Sequence, residues 1–381
     1  MYGDSNRVQV AFAKESSFGT VPTGEYDILR HTGEGLAQEQ QTSRSSEIRS
    51  DRQVSDSKRT AINSGGSINF EMSYGTFDKL LLGSLMASAW STPATVTDTD
   101  IGISGPGSTF GSSGLGFGSF VAGQWVQVTG CTNAANNGMF KIIAASSAEI
   151  TVDGTLTTEA SGATITITQG AYATNGVEKN FYTFERKYAD LSNEIAIFAG
   201  CAINQLALSI ASGQIITGSL TILGKDEVSA TSSSGSGYAA VSTTEVMSAV
   251  DNVSSLLEDG SSLAISQLTL QLSNSLRGKQ KIGSAGAFDI GLGTFDVTGT
   301  FTAFYEDKTL VDKYLNQTST SLVIILKDIS GNYYLVEIPK IKLSAGKRSG
   351  GSLDSDVMNE MSFQALVSSG DYTIKVVKFS A

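Results

Sequence analysis

One stretch constrains this chain more than any other, because its plan is written twice. Ser64–Met86 reads SGGSINFEMSYGTFDKLLLGSLM. Ser67, Asn69, Glu71 and Ser73 alternate with Ile68, Phe70, Met72 and Tyr74, the period of a strand with one wet face. Gly75 and Thr76 break the run, and Phe77, Leu80, Leu81 and Leu85 follow at helical spacing with Thr76 as N-cap. The second copy is Val297–Leu315, VTGTFTAFYEDKTLVDKYL. There Thr298, Thr300 and Thr302 alternate with Phe301 and Ala303, and Asp307 caps a helix carrying Leu310, Val311, Tyr314 and Leu315. Gly66 matches Gly299.

The match continues downstream. Asn180–Leu223 and Ser321–Leu366 each read as strand, turn, strand, then a polar connection and a closing strand. A repeat of this length decides the fold, although shared alternation in an all-β chain remains the competing explanation. The expected class is mainly β, with two tandem β-sandwich or barrel units, each with a short flanking helix, and a small inserted β domain.

Residues 1–24 are expected as an N-terminal arm. The first unit is 25–102 and 170–224, interrupted by 103–169, where short strands separated by Asn/Gly turns describe an autonomous β domain. Trp125, Val126, Val128, Phe140, Ile142 and Ile143 are its expected core. Its ends meet between Asp100 and Gly170, as for a domain inserted at a loop tip. Residues 225–261, acidic and Ser/Gly-rich, are expected as a linker, and 262–381 as the second unit.

Charged residues make up 17% of the 381, with 41 Gly and only 4 Pro, the balance of a large sheet protein rather than a disordered chain. The net charge of −11 argues against nucleic-acid affinity. The deficit is uneven: residues 262–381 hold 12 basic and 11 acidic groups, the rest 14 and 26. No apolar run reaches the roughly 20 residues of a membrane helix. The start, MYGDSNRVQV, does not read as a signal peptide, so a cytoplasmic product is expected. Cys131 and Cys201 fall in different expected domains, which favours buried thiols over a disulfide.

Chemistry-bearing patterns are sparse. His31 is the single histidine, so no Ser-His-Asp or Cys-His arrangement has a second one to draw on. Neither cysteine sits in a CxxC, and no Walker-type loop occurs. Neither an enzyme nor a cofactor is expected. Residues 32–63 mix charges of both signs with almost no apolar anchor beyond Ile48 and Val54. That composition suits a solvated loop or long hairpin, or a polar contact arm for a complementary neighbour.

GEGLAQEQQTSRSSEIRSDRQVSD, followed by GGSINFEMSYGTFDKLLLGSL, resembles the tail tube proteins of long-tailed, non-contractile bacteriophages. NFYTFERKYAD and GCAINQLALSIASGQIITGSLTILGK resemble the next part of the same pattern, so the likeness covers roughly residues 8–90 and 180–226. The resemblance implies β-sandwich tube domains with a flanking helix, forming rings that stack into a hollow tube through which genomic DNA passes. It implies a virion protein, assembled in the host cytoplasm, whose partners are copies of itself, the tail terminator, the tape measure and the distal tail proteins. No membrane is involved. In this reading the arm carries inter-ring contact through Arg44, Glu47, Arg49, Asp51 and Arg52, and the lumen is lined by Ser67, Asn69, Glu71, Ser73, Thr298, Thr300 and Thr302, with Gln267, Thr269 and Gln271 on a matching wet face. Lys340 and Lys342 on one alternating face are the exception to that wall. Two units per chain make the expected ring a trimer with pseudo-sixfold symmetry; one unit per chain gives six chains. A secreted or surface adhesin, a capsid decoration protein and a distal tail protein are the rival readings.

Overall fold

The computed structural model describes residues 3–351 and 353–381, and Met1 and Tyr2 of the expected arm lie outside them. Half of the chain is strand, and two short helices, Asp78–Leu85 and Thr309–Leu315, are the only α-helices among the described residues. The chain is mainly β.

One broad antiparallel layer holds eight strands side by side. In spatial order these are Ala37–Arg44, Ser57–Glu71, Thr217–Gly224, the C-terminal part of Ile195–Ala211, Ile265–Ser273, Asp296–Phe304, Met358–Ala365 and the C-terminal part of Tyr333–Ser349. The two 17-residue strands, Ile195–Ala211 and Tyr333–Ser349, also serve a second layer through their N-terminal parts. Ile195–Ala199 there lies between Tyr182–Tyr188 and Asp226–Ala230, and Val8–Lys14 pairs with Tyr182–Tyr188. Tyr333–Ile338 likewise lies between Thr320–Lys327 and Lys375–Phe379, and Val253–Glu258 pairs with Thr320–Lys327.

The same succession of pairings therefore occurs twice, down to its irregularities. Each long strand slips register against its preceding partner, at Tyr182/Phe184 in one case and Thr320/Leu322 in the other. Each also bulges by one residue against its following partner, at Asn204 and at Ser344. Aligned on those bulges, Gly66 opposite Ile222 corresponds to Gly299 opposite Phe363. Both glycines are required sterically. Gly66 has φ +148°, and a Cβ there would run into the Gly35 carbonyl oxygen; a Cβ at Gly299 would meet the Thr269 carbonyl oxygen and the Phe363 ring.

Apolar faces of the two layers and both helices share one core, including Phe12, Phe70, Phe77, Phe184, Phe301 and Phe363. Strand alternation explains this directly: Ile68, Phe70, Val297, Phe301 and Ala303 are buried, while Ser67, Asn69 and Thr300 on the intervening positions are exposed. Each Phe in such a core is worth about 3–5 kcal/mol against Ala.

Several expected details differ. Thr76 does not cap the first helix. Its hydroxyl is held by Ser73 (2.8 Å) and Ser242 (3.0 Å), and no side chain caps Phe77. Asp307 does take the first helical N–H, from Thr309 at 2.7 Å, but Leu315 at the end of that helix is exposed. Val8–Lys14, expected within an arm, is instead integral to the second layer, because QVAFA buries four consecutive residues there. The stretch 225–261, expected as a linker, contains strands Asp226–Ala230, Gly237–Ala239 and Val253–Glu258; its Ser and Gly residues occupy the turns between them.

The interrupting sheet has seven strands from Thr95 to Gln169, beginning ahead of residue 103 because Thr95–Asp98 pairs with Ile165–Gln169. Val126, Val128 and Ile142 are in its core and Phe140 packs against it, but Ile143 is exposed, since the strand slips register between Ile142 and Ala144. Trp125 leaves that core for another cluster, with Val323, Ile325, Leu335, Val377 and Phe379.

Candidate functional site

Among the described residues, no group of three His, Cys, Asp or Glu side chains could hold a metal ion. Cys131 and Cys201 are buried free thiols; burial raises Cys131 to about 11 and Cys201 well above the ordinary thiol range, so neither is a nucleophile at neutral pH. His31 is half-buried beside Arg30 and Glu71, and its Nδ1 has no hydrogen-bond partner. No helix among the described residues is long and apolar enough to cross a membrane.

What the fold does build is a wet, shallow trough across the broad layer. A cavity of about 600 Å³ runs over the junction between the two sets of strands, lined by Asn69, Ser209, Thr269, Thr298, Thr300 and Gln364 among others. Cross-strand register aligns the expected wall residues. Ser67 stands opposite Thr221, Asn69 opposite Ser219, Thr269 opposite Thr300 and Gln271 opposite Thr298. Thr269 and Thr300 hydroxyls bond at 2.7 Å, a polar ladder that satisfies the face without charge. Thr302, opposite Gln267, extends this row.

One expected wall residue sits elsewhere. Ser73 is buried and donates its hydroxyl to Thr76, because the strand ends at Glu71 and the alternation no longer applies. Glu71 keeps the wet face by register, opposite Thr217 at the end of its strand, and there also lines a separate cavity with Arg30 and His31. Of the two lysines, Lys342 shares the wet face opposite Gln364, whereas Lys340 lies before the stretch that pairs with Met358–Ala365. Asp296, Glu360 and Lys347 occupy the same face by register, so acids and bases there nearly balance.

Residues 32–63 form a long hairpin. Ala37–Arg44 pairs with Ser57–Gly65, and its tip, 45–56, is exposed almost throughout. Arg44 ends the first strand opposite Ser57. Arg49 and Asp51 pair through two hydrogen bonds of 3.0 and 2.8 Å, which hold the Asp51 carboxyl below the usual range. Arg52 takes a left-handed turn conformation at φ +58°, and Glu47 is exposed. The structure gathers these five residues at one tip with no partner beyond the tip itself among the described contacts.

Sequence reasoning missed a buried polar joint where the seven-stranded sheet meets the second layer. Glu337 accepts from Trp125 Nε1 at 3.1 Å and pairs with Lys141 at 2.5 Å and Lys375 at 3.6 Å. Lys375 also donates to the Gly123 carbonyl at 2.8 Å. Burial pushes the Lys375 ammonium down from its ordinary value, with Glu337 opposing. A charged residue inside each apolar run, Glu337 in YYLVEIP and Lys375 in IKVVKF, was the available signal. Its partner could not be read, since the contact spans about 200 residues of sequence.

No match was found among curated proteins. A family model described as phage tail tube protein matches residues 5–365, nearly the whole chain. That match over nearly the whole chain shows the family: the chain belongs to the phage tail tube proteins, a structural component of the virion tail that self-assembles into a tube.

Proposed function

We propose that the chain polymerises as trimeric rings, each chain supplying two adjacent wall segments, and that these rings stack into a hollow conduit for the genome. The observation that carries this is the doubled pairing scheme: residues up to about 230 and those from about 253 repeat one succession of strands, with the slip, the bulge and the glycine in matching places. Two such units are two copies of one tube domain, joined edge to edge in the broad layer. A six-segment channel then takes three chains, closed head to tail.

The wet face of the broad layer is the channel surface in this reading. Threonine, serine, asparagine and glutamine dominate it, and its few charges nearly cancel, so phosphate passing at close range meets no basic track to bind. Each hairpin tip reaches the neighbouring ring, with Arg49 and Arg52 meeting complementary charge. Single exposed pairs are worth about 0–1 kcal/mol, so stacking depends on their sum around the ring.

Electron microscopy of the purified chain tests the reading. Tubes built of stacked rings with a central channel are expected; a protein that stays monomeric at high concentration and in the presence of tail extracts would remove it.

A further inference from the structure

The broad layer crosses from the first unit to the second where Gln205–Ala211 pairs with Gln267–Ser273. Backbone bonds fasten both ends of this seam, from Asn274 N–H to the Asn204 carbonyl (2.8 Å) and from Ser212 N–H to the Ser266 carbonyl (2.9 Å). By the correspondence of the units, the same two edges recur without a strand partner at the two margins of the layer. Among the described residues, Ala345–Ser349 pairs only with Met358–Ser362, and Ala37–Arg44 only with Ser57–Gly65.

We propose that these margins join one copy of the chain to the next in the register of the internal seam, with Ala345 opposite Glu39, Lys347 opposite Ala37 and Ser349 opposite Gly35. The inference rests on the ring reading above and adds to it the edges, the register and the chemistry of the joint.

Charge supports this pairing. The internal seam is neutral on its wet face, where Gln205, Ala207 and Ser209 oppose Ser273, Gln271 and Thr269. The proposed joint sets basic Lys347 and Arg348 on one edge against acidic Glu34 and Glu39 on the other. Lys347 falls diagonal to Glu39, within reach of a long side chain. Two copies would attract through these edges, whereas two like edges would repel, which selects head-to-tail closure.

The acceptor edge carries a further signature. Gly35 donates its N–H inward to the Ser67 carbonyl, so Leu36 and Gln38 present theirs outward. In the single chain, side chains occupy those groups. Leu36 N–H donates to Glu34 (2.9 Å), Gln38 N–H donates to Glu227 (3.1 Å), and the Leu36 carbonyl accepts from Arg186 (2.8 Å). Arg186 also pairs with Glu34 at 3.1 Å and Glu227 at 3.8 Å. At the corresponding positions of the second unit, Leu270 and Leu272 stand opposite Leu208 and Leu206 of a real strand. The carboxylates and the guanidinium stand in for a strand that is absent, guarding the edge against wrong pairing until a second copy replaces them.

The test is a disulfide trap in the full-length chain. Glu39 and Ala345 correspond to Ser273 and Gln205, a pair that does not exchange backbone hydrogen bonds, so their side chains approach closely enough for a disulfide. The double variant Glu39→Cys/Ala345→Cys, oxidised with diamide during assembly, should give covalent dimers and trimers on a non-reducing gel. Each single variant should give none, since Cys131 and Cys201 are buried. Normal rings by electron microscopy with no cross-link would overturn the edge and register while leaving the ring reading intact. Absence of rings in the unmodified protein would instead sink the ring reading itself. Glu227→Gln, which weakens the guard without touching the joint's charges, should shorten the lag of polymerisation by light scattering several-fold; an unchanged lag would remove the guard.

Discussion

Two arms occupy the same place in the doubled scheme and are treated in opposite ways. The first, 45–56, joins Ala37–Arg44 to Ser57–Glu71; the second, 274–295, joins Ile265–Ser273 to Asp296–Phe304. The first projects as an exposed hairpin tip whose ion pair, Arg49–Asp51, is internal to it. The second is folded back. Arg277–Lys279 and Asp289–Gly291 pair with each other, and Asp289 bridges Lys279 at 2.7 Å and Lys179 of the first unit at 3.0 Å. Buried Asn274 donates to the carbonyls of Ser84 and Ile203, both at 3.0 Å. The second arm also accepts, through the Ala285 carbonyl, an N–H from Ile62 in the first hairpin. One arm is thus folded back as a buttress and the other stands exposed, so under the proposed three-chain ring three hairpins rather than six would reach outward.

The shared scaffold breaks hardest where both units need glycine. Gly66→Val and Gly299→Val should each cost about 3–5 kcal/mol, from overpacking and, at Gly66, backbone strain. Denaturant melts measure this directly, and a large cost at one site with none at the other would mean that the two positions are not equivalent. Next in size is the joint that only one unit carries. Glu337→Ala leaves Lys141 and Lys375 without their carboxylate and should cost about 3 kcal/mol. Amide exchange should rise in both Trp125–Thr129 and Lys375–Phe379; a rise confined to the second would show that the seven-stranded sheet is not held there.

The arms differ more finely, and pH separates them. Lys279, with Lys179, holds Asp289 at about 2, below its ordinary 3.8. A depressed carboxylate contributes stability above its unfolded pKa, lost as pH falls from about 4 through 2. Asp289→Asn should therefore cost at most about 2 kcal/mol at pH 7, and the difference from the unmodified protein should vanish near pH 2. A gap that persists at pH 2 would rule out the ion pair as its source. The smallest effect on stability belongs to the free arm: reversing Arg49 and Arg52 to Glu should leave the melt unmoved yet yield rings that do not stack. Stacking equal to the unmodified protein would give the hairpin another role.

The sequence disclosed whatever depends on local periodicity. Alternation identified the buried faces of Ser57–Glu71 and Asp296–Phe304, and the Gly66/Gly299 match lies in the register the strands adopt. It failed where a long-range partner overrides local pattern. Ser73 keeps the alternation on paper, but its hydroxyl is held inside by Thr76. Ser/Gly-rich 225–261 reads as linker, yet Val253–Glu258 is a strand because Thr320–Lys327 offers it an edge. Trp125 reads as core of its own sheet, and only the approach of Val323, Leu335 and Phe379 makes it a docking residue. The charges of Glu34, Arg186 and Glu227 look like solvated surface until folding brings positions 34, 186 and 227 together.

The duplicated scheme makes its sharpest demand on stoichiometry, and mass per unit length of the assembled tube, from unstained scanning transmission electron microscopy, reads that quantity directly. With the ring spacing taken from the same tubes, two wall segments per 39.8 kDa chain predict three chains per ring. Six chains per ring would contradict the two-segment reading and leave one tube domain in each chain.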